Sequence, residues 1–227
     1  MDVPLYVLQA IRRYIHAAGP WPRQPSVVPK PDIARRTGLA PLASSPMDDS
    51  PALRPAGEDD LAVIEYLTND PDGSGPFEWY GWRTPDLYRR RWAENGLLGD
   101  DDGLLMVARG ADPLGFVVWR KVRTGQTSFC WEIGIRMAPA SRGRGYGTEA
   151  QRMIVRYLFA HAPHVNRIQA ITEAGNAAEQ RALEKAGFTR EGVLRGCGFR
   201  AGAWRDGVVY GVLRDEVALD GDGRAPA

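Results

Sequence analysis

One junction constrains the fold more than any other part of this sequence: a strand-like run becomes a helix-like run through a loop of glycines. Over residues 129–137 the apolar side chains Phe129, Trp131, Ile133, Ile135 and Met137 alternate, which sets them on one face of a strand and leaves Glu132 and Gly134 on the other. Over residues 147–160, Ala150, Met153, Ile154, Tyr157 and Leu158 recur at helical spacing. Pro139 closes the first pattern, and Arg142-Gly143-Arg144-Gly145-Tyr146-Gly147-Thr148 opens the second. Glycines in such a run let backbone N–H groups approach a ligand with no Cβ in the way. The helix behind them turns unpaired N–H donors and a partial positive charge toward the same spot. Arg142 and Arg144 add two cations. Chemically this suits a phosphate or pyrophosphate; the bland alternative is a plain turn with glycine at a helix start. A P-loop fits worse, because no lysine lies in the run. The dinucleotide fingerprint fits worse too: Tyr146 alone separates the second and third glycines, and Asn166-Arg167 stand where an acidic residue is wanted.

The other elements follow from periodicity and turn chemistry. A short strand is expected at Leu53-Arg54-Pro55, then a helix starting at Glu58-Asp59-Asp60 and carried by Leu61, Ile64 and Leu67. Residues 69–84 read as a loop, and residues 85–96 as a second helix ended by Gly96. Strands over residues 104–109, 114–122 and 129–137, separated by Gly110, Asp112-Pro113 and Thr124-Gly125, predict an antiparallel meander. After the glycine-rich loop and its helix come a strand over residues 167–172 and a helix over 176–186 with Gly187 as its C-cap. Two short strands, near residues 188–190 and 208–214, close the order. The expected fold class is α/β, with a mixed, mostly antiparallel central sheet and helices on both faces. Residues 1–50 read as a short helix, over 1–18, plus a Pro-rich extension; residues 51–216 as the main domain; residues 217–227 as a flexible tail.

Composition narrows the function classes. A net charge of +1 gives no global field for nucleic acid. No apolar run approaches the roughly 18–20 residues of a membrane helix, and the N-terminal stretch, broken by Gln9, Arg12 and Arg13, does not read as a secretory signal. Two cysteines make no disulfide framework and three histidines leave little for a metal site, so no metal is expected and a reducing, cytoplasmic setting is.

Arg142-x-x-Gly145-x-Gly147 after a strand ending in Pro139 resembles the acetyl-CoA-binding motif of the Gcn5-related N-acetyltransferase (GNAT) superfamily. Asn176-Ala177-Ala178-Glu179-Gln180-Arg181-Ala182-Leu183-Glu184-Lys185-Ala186-Gly187-Phe188 is similar to its Asn-x-x-(Ala/Ser)-x-x-x-Leu-x-x-x-Gly-Phe element. Glu191-Gly192-Val193-Leu194-Arg195 and Asp206-Gly207-Val208-Val209-Tyr210 resemble the branch that holds the ribosomal-protein alanine N-acetyltransferases. The resemblance spans roughly residues 53–215 and leaves residues 1–50 outside.

That resemblance implies an acyl-CoA N-acyltransferase, using acetyl-CoA or another acyl-CoA as co-substrate and acting by direct attack in a ternary complex. It implies pyrophosphate on Arg142, Gly143, Arg144, Gly145, Tyr146, Gly147 and Thr148, pantetheine along Arg136, Met137 and Ala138, and Asn176 helping to hold the donor. Amide formation needs a base for the amine and donors for the oxyanion. Glu132 is the candidate base; the alternative is a solvated glutamate or one paired to Arg136. The tyrosine that many members use as general acid is absent from the Asn176–Phe188 element, which leaves Asn176, water or Tyr210. Cys197 reads as a bland loop residue rather than a ping-pong nucleophile, and Cys130 as core. Phe77, Trp79, Tyr80 and Trp82 fall where the family places substrate-facing segments, either as an aromatic wall for an apolar or cationic amine or as a lid on the core. The expected acceptor is a small-molecule amine or a peptide N-terminus, and a homodimer stays open. From a different class, the same residues suit a catalytically inactive CoA-binding sensor or partner protein.

Overall fold

The computed structural model describes residues 50–219; the helix expected over residues 1–18, the extension behind it and the tail from Asp220 lie outside the described residues. Seven strands form one sheet: β1 (Ala52–Pro55), β2 (Asp102–Arg109), β3 (Asp112–Arg123), β4 (Phe129–Met137), β5 (Arg167–Glu173), β6 (Thr189–Arg200) and β7 (Ala203–Leu213). Their spatial order is β1-β2-β3-β4-β5-β7-β6. Every pairing is antiparallel except β4 with β5. That one parallel contact needs a crossover, which the glycine-rich loop and the helix α3 (Tyr146–His161) supply.

Helices cover both faces, as the layering rule requires of a sheet with apolar residues on each side. The strand β2 is buried along its length because its alternate residues face two cores. Leu104 and Met106 meet α1 (Leu61–Asn69) and α2 (Leu87–Asn95) through Leu61, Ile64, Leu67 and Trp92. Leu105 and Val107 meet α3 and α4 (Ala177–Ala186) through Ala150, Ile154, Leu158 and Leu183. The α3 stripe is wider than the periodicity suggested: Val155 and Phe159 are also buried, while Met153 and Tyr157 sit at its edge.

Local chemistry fixes the ends. Asp60 anchors the start of α1: its carboxylate takes both guanidinium nitrogens of Arg54, at 2.6 and 2.8 Å, and the Gly57 N–H at 2.8 Å. The bonded Arg54 guanidinium holds the Asp60 carboxyl below its usual range. Asn176 caps α4 by accepting the Glu179 N–H, and Gly187 ends it in a left-handed conformation. The loop expected over residues 69–84 contains one helical turn, Pro71–Ser74, whose N-cap Asp70 accepts from two backbone N–H groups.

The sequence reading is corrected most at the C-terminal side. Instead of two short strands, β6 and β7 form a long hairpin closed by Ala201 and Gly202, both at positive φ. Gly192, Gly196 and Gly198 are accommodated within the ladder by two register shifts, at Arg190/Gly192 and Leu194/Gly198. Most of β6 is exposed or half-buried, so no alternating apolar pattern betrays it.

Arg214, just past β7, closes the C-terminal end of α3. Its guanidinium donates to the carbonyls of Phe159 (2.9 Å), Ala162 (2.6 Å) and Val165 (2.9 Å) and lies 4.9 Å over the Phe159 ring. Those carbonyls include ones a helix end leaves unpaired. Arg214→Ala is expected to lower stability by about 2–3 kcal/mol, seen as a shifted midpoint in urea unfolding, with Arg214→Lys recovering only part of the loss.

Candidate active site

The strands β4 and β5 pair at only three positions: Trp131 with Ile168, Glu132 with Gln169, and Ile133 with Ala170. Beyond Ile133 and Ala170 they part. Each stays anchored on its outer side, β4 to β3 as far as Met137 opposite Gly115, and β5 to β7 as far as Glu173 opposite Gly207. A wedge therefore opens inside the sheet, with the inner edge of β4 from Gly134 to Met137 unpaired by any strand. Backbone donors and acceptors on such an edge are open to a ligand that extends along it.

The glycine-rich loop lies at the wide end of the wedge. A tight turn, Pro139–Ser141, leads from β4 into it. Gly143 and Gly145 adopt φ values of +74° and +83°. A Cβ at either would meet nothing within 4 Å, so conformation and not crowding demands glycine there. Gly145 is the N-cap of α3 and offers no side-chain cap, so the first N–H groups of a 16-residue helix point outward. These N–H groups, the partial positive charge behind them and the exposed Arg144 make an anion site.

Arg142 is placed differently from the sequence reading. Its Nε donates to the Met137 carbonyl at 2.9 Å and its terminal nitrogen to the Gly73 carbonyl at 2.6 Å. The guanidinium thus ties the loop to the Pro71–Ser74 turn. Arg136 behaves alike: it bonds the Leu67 carbonyl at 2.7 Å and pairs with Glu78 at 3.1 Å. Only its backbone is left for the wedge. Tyr210 is fully buried and its hydroxyl donates to Glu184 at 3.0 Å, which removes it from the candidates for general acid.

Glu132 sits one residue short of the point where the strands part, on the face opposite the α3–α4 core. Its cross-strand neighbours on both sides hold it. Arg120 on β3 donates to Oε1 through two nitrogens, and Gln169 on β5 donates to Oε2 at 2.9 Å. Arg136 is not its partner, contrary to the alternative raised from sequence.

The aromatic residues divide. Trp79 and Tyr80 line a cleft of about 770 Å³ with Pro71, Asp72, Phe199 and Arg200. Phe77 lies under the Arg200 guanidinium at 5.6 Å, and Arg200 is itself clamped to Glu173 by two 2.8 Å bonds. Trp82 is 81% exposed and stacks edge-on with Trp79 at 5.7 Å. Burial pushes the Cys130 thiol up to about 11 and raises Cys197 as well, so neither presents a ready thiolate. Among the described residues, no group of three or more His, Cys, Asp or Glu is placed to hold a metal ion, and no helix is long and apolar enough to cross a membrane.

Two residues to which no role was assigned from sequence, Gln151 and Glu179, join α3 to α4. Gln151 is fully buried in α3, and its amide donates to Glu179 in the first turn of α4. A signal existed for Glu179, because the family pattern carries Ala or Ser at that position. The loop geometry gives a direct prediction. Gly145→Ala should lower stability by about 1–2 kcal/mol through its left-handed conformation. Gly147→Ala, whose Cβ would lie 3.8 Å from Ile135 and Met137, should be tolerated; midpoints of chemical unfolding compare the two.

The comparisons with known proteins agree with this geometry. The acetyltransferase (GNAT) domain profile matches residues 52–189. The probable N-acetyltransferase YjcK of Bacillus subtilis is 38% identical over 91 residues, which cover 40% of this chain and 48% of that protein, so the match spans about half of YjcK. Aminoglycoside N(6')-acetyltransferase type 1 of Klebsiella pneumoniae is 30% identical over 162 residues, 65% of this chain and 78% of that one. Spermidine N-acetyltransferase from Vibrio cholerae, solved with CoA and spermine, superposes with a TM-score of 0.64 at 18% identity, covering 74% of this chain and 98% of that one. With the profile matched from β1 to the start of β6 and the wedge and glycine-rich loop in place, this chain belongs to the GNAT acetyltransferase family.

Proposed function

We propose that residues 51–216 form an N-acetyltransferase unit that moves an acetyl group from acetyl-CoA to a primary amine by direct attack in a ternary complex. The observation that carries this reading is the wedge between β4 and β5 with an uncapped helix N-terminus at its wide end. A pantetheine arm needs an extended edge with free backbone groups, and a pyrophosphate needs outward N–H donors. Both are present on one ligand's length of chain. Acetyl-CoA would supply an activated acyl group on a leaving thiol.

In this reading Arg144, the loop backbone and the first turn of α3 hold the pyrophosphate, with Asn176 at the end of the neighbouring strand. Backbone N–H groups of β4 near Gly134 face the carbonyl oxygen that gains charge. Glu132 takes the amine proton through a water, since its two oxygens already accept from Arg120 and Gln169. The raised thiols of Cys130 and Cys197 favour direct attack over a ping-pong route. The two cysteines, both free, fit a reducing compartment such as the cytoplasm.

The acceptor class proposed is a cationic small-molecule amine. Two relatives are named for acetylating such amines, an aminoglycoside and spermidine. In this chain the ring faces of Trp79 and Tyr80, with Asp72 beside them, suit a cation, and the Arg200 charge on the same cleft wall is offset by its pairing with Glu173. The alternative, a peptide N-terminus as in the ribosomal-protein alanine branch, rests on Glu191–Arg195 and Asp206–Tyr210 of the β6–β7 hairpin alone.

Purified protein mixed with acetyl-CoA and a panel of polyamines, aminoglycosides and peptides, followed by free thiol release, tests the proposal. Turnover with a polyamine or aminoglycoside is expected, and Glu132→Gln should lower kcat by about 100-fold. Tight CoA binding with no thiol release from any acceptor would instead make the chain a CoA-binding sensor.

A further inference from the structure

Gln151 is 1% exposed, on the second turn of α3, and its side-chain carbonyl Oε1 has no hydrogen-bond partner. Its amide nitrogen donates to Oε1 of Glu179, which ties this amide to that carboxyl group. A buried acceptor without a donor is costly. A carboxylate cannot relieve it, because a carboxylate only accepts. A neutral carboxyl can: its carbonyl oxygen accepts from the amide N–H while its O–H donates to the amide oxygen, closing a two-bond acid–amide pair. The surroundings favour that neutral form. Burial, with the Glu78 carboxylate as the next cause, pushes Glu179 up to about 7, against the opposing hydrogen bond from Gln151.

The pair joins the N-terminal parts of the two helices that follow β4 and β5, the strands that part. Gln151 and Glu179 belong to helices on the α3–α4 face of the sheet. Glu78 belongs to the aromatic segment on the other side, ion-paired with Arg136, which reaches across to the end of α1. The Glu78 charge is one of the causes that raise Glu179. Glu179 thus faces Gln151 from α3 and Glu78 from the aromatic segment, while its own N–H is taken by the Asn176 cap.

We infer that Glu179 is the catalytic acid that protonates the departing thiolate, its neutral form closing an acid–amide pair with Gln151 until the carbon–sulfur bond breaks. This rests on the transferase reading above. The amine nitrogen bonds to the thioester carbonyl carbon and its proton passes to Glu132 through water. The carbon–sulfur bond then breaks, the electron pair leaves on sulfur, and the Glu179 proton moves to it, giving an amide and a free thiol. Solvent afterwards reprotonates Glu179 and takes the proton from Glu132. An acid at Glu179 would take over the role of the tyrosine missing from the Asn176–Phe188 element, from a different position in it.

The test compares wild type with Glu179→Gln and with Glu179→Ser, the second carrying the small residue of the family pattern. Two readouts are used: the pH dependence of acetyl transfer, and the infrared carbonyl band of a protonated carboxyl in the protein without substrate. Because the acid form is required, the ratio of wild-type to variant kcat should exceed tenfold below pH 7 and shrink as pH rises through about 7. KM for acetyl-CoA should stay within about twofold. The protonated-carboxyl band should be present in wild type at pH 6, fade above pH 8 and be missing from both variants. Wild-type turnover with unchanged variants, or a band that persists in them, overturns the assignment of Glu179 alone. A wild type that releases no thiol overturns the transferase reading and the acid role with it.

Discussion

The parallel ladder between β4 and β5 lasts three residue pairs and then gives way, while each strand remains fully laddered to its outer neighbour. That mismatch organises the site. A sheet held on both outer sides cannot close the wedge by shifting one strand without breaking nine β3–β4 pairs or seven β5–β7 pairs. The unpaired edge is thus built into the fold, and backbone groups on it remain available instead of being consumed by the sheet. The α3 N-terminus sits beside it because the crossover between two parallel neighbours must leave the sheet at the C-terminal end of β4. The extended edge and the anion site are two consequences of one topological fact.

Arginines set the walls of this opening. Arg142 joins the glycine-rich loop to the Pro71–Ser74 turn, Arg136 joins β4 to the end of α1, and Arg200, over the Phe77 ring, joins the β6–β7 hairpin to Glu173. Each donates to backbone carbonyls or carboxylates and holds an irregular segment in place, which neither hydrophobic packing nor a ladder would do there. One side of the opening is accordingly made of loop and hairpin, and the other of strand edge and helix end. Two bonded carboxyl groups belong to this region, Glu132 with Arg120 and Gln169 on one face of the sheet and Glu179 with Gln151 on the other.

Elements with strong local signals were legible in the sequence. The alternation in β4, the helical stripe of α3, the Gly96 and Gly187 caps and the glycine-rich loop all appear in the structure where periodicity put them. The β6–β7 hairpin was not, because its exposed faces carry no apolar alternation and its glycines mimic turns. Side-chain destinations were the least legible. Arg142 stands in a run that reads as an anion loop, yet its guanidinium is drawn to carbonyls 69 residues away in sequence, at Gly73. The link between Gln151 and Glu179 spans 28 residues and depends on two helices meeting over the wedge, which no local pattern records.

Amide hydrogen exchange with and without CoA tests the wedge as the donor site most directly. Saturating CoA is expected to slow exchange at Gly134–Ala138 on the unpaired edge of β4 and at Gly143–Thr148 in the loop, leaving the tip of the β6–β7 hairpin unchanged. Unaltered exchange in both segments, with CoA bound or unable to bind, would contradict the wedge as the place where the donor lies.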